Sequence, residues 1–173
     1  MAEWVKLKKE SGIAEILLNR PEAFNAFDQE MVVFLAETLT RLTTDESVSA
    51  VVISGEGRAF CAGGDLRSLL ALPRGPAVGL YELAASFHLA IVEIRRMKKP
   101  VIAAINGIAA GGGFAMALSC DFRVMAQSAV LRQAYTSNGL SVDGGGTFTL
   151  PRIVGLARAL EIIGFDKPIS SEQ

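Results

Sequence analysis

Apolar and polar residues set the first elements of the chain by their period. Residues 5–9 and Ile13–Leu18 read as two strands, joined at Glu10-Ser11-Gly12 as a hairpin. Asn19-Arg20-Pro21 ends the second strand. The period then changes. Behind Asp28, a good N-cap, Met31, Phe34, Leu35, Leu39 and Leu42 recur at helical spacing. Residues 48–54 form a short buried strand broken by Gly55-Glu56-Gly57, and residues 60–65 form a small-residue loop. A short helix is predicted to start at Asp65. Residues 73–76 are a loop, residues 79–97 a long helix and Val101–Ile105 a core strand. A helix follows Gly112. Residues 122–126 and 129–131 read as strands and residues 139–146 as a glycine-rich loop. Thr147 opens a helix, and residues 155–163 are helical with Gly164 as the stop. Strand–loop–helix units therefore recur through a single α/β domain, residues 1–173. The apolar helix at 157–163 needs a partner surface, and the tail 166–173 ends as if a further helix should follow.

Composition narrows this picture. With 50% apolar and 20% charged residues, 173 residues can bury a sizeable core. A net charge of −1 without a long basic run argues against nucleic acid as the partner. Lys98, Lys99 and Pro100 precede the longest apolar stretch and glycines interrupt it, so no unbroken run of membrane-spanning length is expected and no membrane partner. The N-terminus MAEWVKLKKE lacks a signal-peptide core, and two cysteines without a CxxC, with one His, fit a reduced cytoplasm and no metal site.

The segment 99–121, KPVIAAINGIAAGGGFAMALSCD, is the richest in chemistry. A core strand ends at Asn106-Gly107, and Gly111, Gly112 and Gly113 open a buried helix. Glycines there let a ligand approach the backbone, whose free N–H groups favour negative charge. Such a turn can hold a developing oxyanion without a charged side chain. The triplet is not GxGxxG and lacks a following acidic residue at dinucleotide-fold spacing.

Five pieces together resemble the enoyl-CoA hydratase/isomerase (crotonase) family: NRPEAFNAF (19–27), GRAFCAGGDL (57–66), KKPVIAAINGIAAGGG (98–113), SCDFRVMA (119–126) and GLSVDGGGTFTLPRIVG (139–155). The resemblance implies a crotonase-like superhelix of ββα units and a C-terminal helical segment beyond residue 173 used in trimer packing, hence a homotrimer or hexamer. It implies a coenzyme A thioester as substrate, with no prosthetic group. The thioester oxygen would lie between the backbone N–H groups of Gly64 and Gly112. Ala62, Gly64, Asp65, Leu66 and Gly112 become coenzyme A contacts, with Ala26 a weaker one. Each glycine motif alone reads more readily as a tight turn, since glycine marks turns more often than sites.

Family hydratases carry one Glu two residues after the triplet and another beyond the following strands. Those positions here are Ala115 and Tyr135. Adding water needs one group to activate it and another to deliver a proton, and Ala offers neither. Asp143 fills a third family position. In isomerase branches that Asp moves a proton along the acyl chain, and in the 4-chlorobenzoyl-CoA dehalogenase branch it is a nucleophile. Read as a residue type, Asp143 could equally cap the helix near Thr147. Tyr135 could orient water, donate a hydrogen bond or wall the acyl pocket. The lone His88 falls about one helical turn from the dehalogenase His and reads as a packed or partly exposed residue. Cys61 reads as a small core hydrophobe and Asp121 as structural.

The leading expectation is an enoyl-CoA double-bond isomerase with Asp143 as acid/base. The alternatives are a hydratase or other lyase with a non-standard residue set, a dehalogenase, and a non-catalytic acyl-CoA-binding protein.

Overall fold

A computed structural model describes residues 4–173; residues 1–3, where the stretch read as lacking a signal-peptide core begins, lie outside the described residues. The hairpin forms as its sequence dictates. β1 (Val5–Glu10) and β2 (Ile13–Leu18) pair antiparallel around Ser11 and Gly12, both at positive φ. That is the turn whose twist matches two flanking strands. Asp28 caps α1 (Gln29–Thr44): its carboxylate accepts the Met31 N–H at 2.8 Å. At the other end of α1, Lys99 donates to the carbonyls of Leu42 and Asp45, where positive charge favours a helix C-terminus.

The rest of the chain deals strands in pairs to two sheets. β3 (Ala50–Gly55), β5 (Val101–Ile105) and β7 (Phe122–Met125) extend the hairpin as parallel neighbours in the order β1-β2-β3-β5-β7. Each is followed at once by a three-residue strand of the second sheet: β4 (Ala59–Cys61), β6 (Ile108–Ala110) and β8 (Val130–Arg132). β9 (Ile169–Ser170) closes that sheet against β8. Helices cover the staircase: α2 (Leu66–Leu70), α3 (Pro76–Arg96), α4 (Gly112–Ser119), α5 (Gly146–Val154) and α6 (Leu156–Phe165).

Three differences from the sequence reading have plain causes. Residues 60 and 61, read as loop, belong to β4: three residues carry no period, and only pairing to β6 defines them. α3 starts at Pro76, three residues early, because proline's fixed φ and missing N–H suit the first helical position. Gly164 does not end α6; the helix runs to Phe165, and Asp166 takes the left-handed cap. α3 contains an 18-residue window of mean hydropathy 1.4, by length and composition alone enough to cross a membrane, which the sequence reading did not single out. Here it buries Leu83, Phe87, Ala90, Ile91 and Ile94 against the core.

Candidate active site

Two glycine-bearing backbone segments meet at the centre of the staircase. Phe27 pairs with Gly64 in a parallel bridge: its N–H donates to the Gly63 carbonyl at 2.7 Å, and its carbonyl accepts the Asp65 N–H at 2.8 Å. That bridge uses the groups on either side of Gly64 and leaves the Gly64 N–H out. Gly112 is the first residue of α4, so its N–H has no intrahelical acceptor. Neither amide has a hydrogen-bond partner among the described residues. The segments touch: a Cβ on Gly63 would stand 2.9 Å from the Ala110 carbonyl and 3.1 Å from the Gly112 nitrogen. One on Gly113 would stand 2.1 Å from the Cys61 carbonyl. Only glycine lets α4 begin this close to β4.

Both free amides line a cavity of about 450 Å³, a size suited to a small-molecule site. Its walls are mostly apolar, built by Phe27, Leu66 and Leu140 with Leu80, Leu83 and Phe87 of α3. The Phe27 and Phe87 rings meet at 5.1 Å. Asn138, Ser141, Tyr135 and Asp143 supply the polar groups.

Asp143 is held by one hydrogen bond and flanked by an imidazole. The Tyr135 hydroxyl donates to its Oδ1 at 2.8 Å, and His88 Nε2 lies 3.9 Å from its Oδ2. The imidazole accepts the Gly144 N–H at Nε2, 3.3 Å away, so a neutral His88 carries its proton on Nδ1. Burial, the Asp143 charge and the shared hydrogen bond push the Tyr135 phenol well above its ordinary value. It stays a donor across the working pH range. The Asp143 carboxylate does not cap α5, whose start at Gly145 has no side-chain cap.

The position of the absent hydratase Glu is sealed. Ala115 is fully buried, and Gly144 sits over it at φ +56°, where a Cβ would be 2.8 Å from the Ala115 Cβ and 2.6 Å from Phe87. The Asp143–Gly144 turn thus occupies the space a longer side chain at 115 would need.

Of the residues marked from sequence, Gly64, Gly112, Tyr135, Asp143, Ala62 and Leu66 come together around the cavity. Asp65 and Ala26 are not among its lining. Asp65 caps α2 through Ser68 and pairs with Arg20 at 3.1 Å, while the Ala26 carbonyl accepts from Arg20 at 2.6 Å. Burial works against ionising Asp65, but the Ser68 amide and the Arg20 guanidinium outweigh it and hold the carboxyl below the usual range. His88, placed a turn away from sequence, instead touches the Asp143–Gly144 turn. Its only signal in the sequence was being the sole His, 55 residues from Asp143, a separation that no local period reads. Cys61 is buried and its thiol is pushed up to about 12 by burial, consistent with an inert core residue. Asp121 accepts the Val101 N–H at 2.9 Å.

Staggered strand pairs carry two free amides over an apolar cavity, and this architecture has relatives of known family. The family model for enoyl-CoA hydratase/isomerase matches residues 8–173, and the chain belongs to that family. It is 39% identical over 174 residues to the 1,2-epoxyphenylacetyl-CoA isomerase of Escherichia coli (strain K12), covering 100% of this chain and 66% of that protein. It is 36% identical to 4-chlorobenzoyl coenzyme A dehalogenase-2 of an Arthrobacter species, covering 98% of this chain and 62% of that one. Among solved structures, an enoyl-CoA hydratase from Polaromonas sp. JS666 superposes with a TM-score of 0.90 at 39% identity, over 97% of this chain and 65% of that one. The chain thus spans less than two thirds of each.

Proposed function

We propose that this protein isomerises enoyl-CoA thioesters by moving one proton. The observation that carries the reading is the single carboxylate at the cavity wall, Asp143, oriented by Tyr135 while position 115 is closed. Asp143 takes a proton from C2 of a 3-enoyl thioester. The electron pair delocalises into the thioester, whose oxygen gains negative charge between the N–H groups of Gly64 and Gly112. The same carboxyl returns the proton at C4, leaving the conjugated 2-enoyl thioester. Each amide matters because charge develops on that oxygen in the transition state; losing one such donor costs about 10²–10³ in rate. The closed Ala115 position supports isomerisation over two-carboxylate hydration.

The test is solvent exchange. Incubation of 2-enoyl-, 3-enoyl- and aromatic acyl-CoA thioesters in D₂O should give mass gain and a moved double bond. Asp143→Ala should lower the exchange rate by about 10²–10⁴ while thioester binding persists. Binding without exchange in the wild type would favour a non-catalytic acyl-CoA-binding protein instead.

One observation favours a second reading, dehalogenation. With His88 Nε2 3.9 Å from Asp143 Oδ2, the pair could serve nucleophilic substitution. Asp143 would displace halide from an activated aryl-CoA ring. His88 would then activate the water that cleaves the aryl ester at the Asp143 carboxyl carbon, restoring the carboxylate. Halide release from 4-chlorobenzoyl-CoA, lost in His88→Ala, separates this from isomerisation. For assembly we propose a homotrimer or hexamer: Leu156, Leu160 and Phe165 on α6 stand at least 60% exposed, an apolar face that further chain or another copy would cover. Sedimentation equilibrium reads this directly.

A further inference from the structure

Outside the cavity, a buried carboxylate reaches the turn that carries Tyr135, whose own N–H donates to the buried Gln133 Oε1 at 3.1 Å. Asp166 ends α6 in the left-handed region, at φ +46°, and is almost fully buried. Its Oδ1 accepts the Ala134 N–H at 2.8 Å. Arg132 clasps it twice over, Nε to the Asp166 carbonyl at 3.1 Å and Nη2 to Oδ2 at 3.4 Å. Ala134 is itself left-handed, at φ +52°, a conformation a non-glycine residue keeps only where its surroundings impose it. The next residue is Tyr135. Were Ala134 to relax to negative φ, the tyrosine would swing and its hydroxyl would leave Asp143. Arg132 also accepts the Gly111 N–H at its carbonyl, 3.2 Å away, so the same strand end braces the turn before Gly112.

We propose that Asp166 is a positioning residue for the active site, acting through Ala134 on the Tyr135–Asp143 hydrogen bond. It rests on the acid–base reading above for its effect on rate, but its effect on Tyr135 stands apart from it. Burial opposes ionising Asp166, yet the Ser137 hydroxyl, the Ala134 amide and Arg132 outweigh that and favour the charged form the turn requires.

The test uses two substitutions in the full natural chain. Asp166→Gly suits the left-handed backbone without steric cost and removes only the carboxylate. Asp166→Asn also tolerates that backbone and keeps one oxygen for the Ala134 N–H. These 173 residues hold two tyrosines, and in ¹³Cζ-tyrosine spectra Tyr81→Phe and Tyr135→Phe assign their resonances. Asp166→Gly should shift or split the Tyr135 resonance and leave that of Tyr81 in place. It should lower kcat for proton exchange by about ten- to a hundredfold with KM within about threefold, the pattern of a misplaced catalytic group. Asp166→Asn should recover most of both. An unmoved Tyr135 resonance, or a moved one with kcat within twofold of wild type, overturns the proposal. If Asp143→Ala leaves exchange untouched, the acid–base reading falls, and the Tyr135 resonance alone decides whether Asp166 sets that turn.

Discussion

Ala115 shows how one residue bears on the chemistry a cavity can support. An alanine where family hydratases carry Glu looks from sequence like a simple deletion. In the structure the deletion is filled, because Gly144 and Phe87 pack over the Ala115 methyl. Ala115→Glu therefore has no room for a catalytic carboxylate. It should destabilise the fold by about 2–4 kcal/mol in urea unfolding and yield no hydratase activity. Tyr135 makes the complementary case. Tyr135→Phe removes the hydroxyl that fixes Asp143, and kcat should fall about tenfold or more with little change in KM, measured by the same D₂O exchange. That Asp143, Gly64 and Gly112 would meet was legible because they sit in motifs, and Tyr135 was legible from the family Glu position it fills. The role of His88 was not: its contact with Gly144 joins two segments far apart in sequence.

At the level of elements, legibility followed length. α1, the hairpin and the Val101–Ile105 strand each carry a full period or a run bounded by turn residues. The three-residue strands of the second sheet carry none and exist by pairing alone. The join between β4 and α4 is likewise tertiary. Its signature is a pair of adjacent glycines with opposite tolerances. Gly113→Ala would drive a methyl to 2.1 Å from the Cys61 carbonyl, so β4 and α4 must part. It should cost about 3 kcal/mol or more, or prevent folding. Gly112→Ala would meet Phe27 and Phe87 at 3.4–3.5 Å, ordinary contact, and should change stability by no more than about 1 kcal/mol. Parallel denaturation curves decide between the two.

Across the whole molecule, the loop that carries Gly64 is fastened to the body by charge. Arg20 reaches Asp28 at 3.3 Å, Asp65 at 3.1 Å and the Ala26 carbonyl, with both carboxylates mostly buried. The Asp65 carboxyl is held below its unfolded value, so its contribution to stability is complete above about pH 4 and is lost as pH falls through the lower folded value. Arg20→Gln should lower Tm by about 2–6 °C at pH 7. The gap from wild type should narrow below about pH 4, as thermal scans across pH 2.5–7 would show. Nothing in the sequence period marks this knot, since its partners lie up to 45 residues apart and meet only after the sheets form.

The two free amides belong to the main chain at the joins of successive strand pairs, whereas Tyr135 and Asp143, the groups proposed to handle the proton, hang from one short stretch, residues 133–144. Holding and reacting are therefore separately editable. A transplant of that stretch from a relative with different chemistry, together with position 115, would redirect the reaction without rebuilding the thioester cradle. Diversity among such enzymes can then arise by trading a single loop over an unchanged backbone.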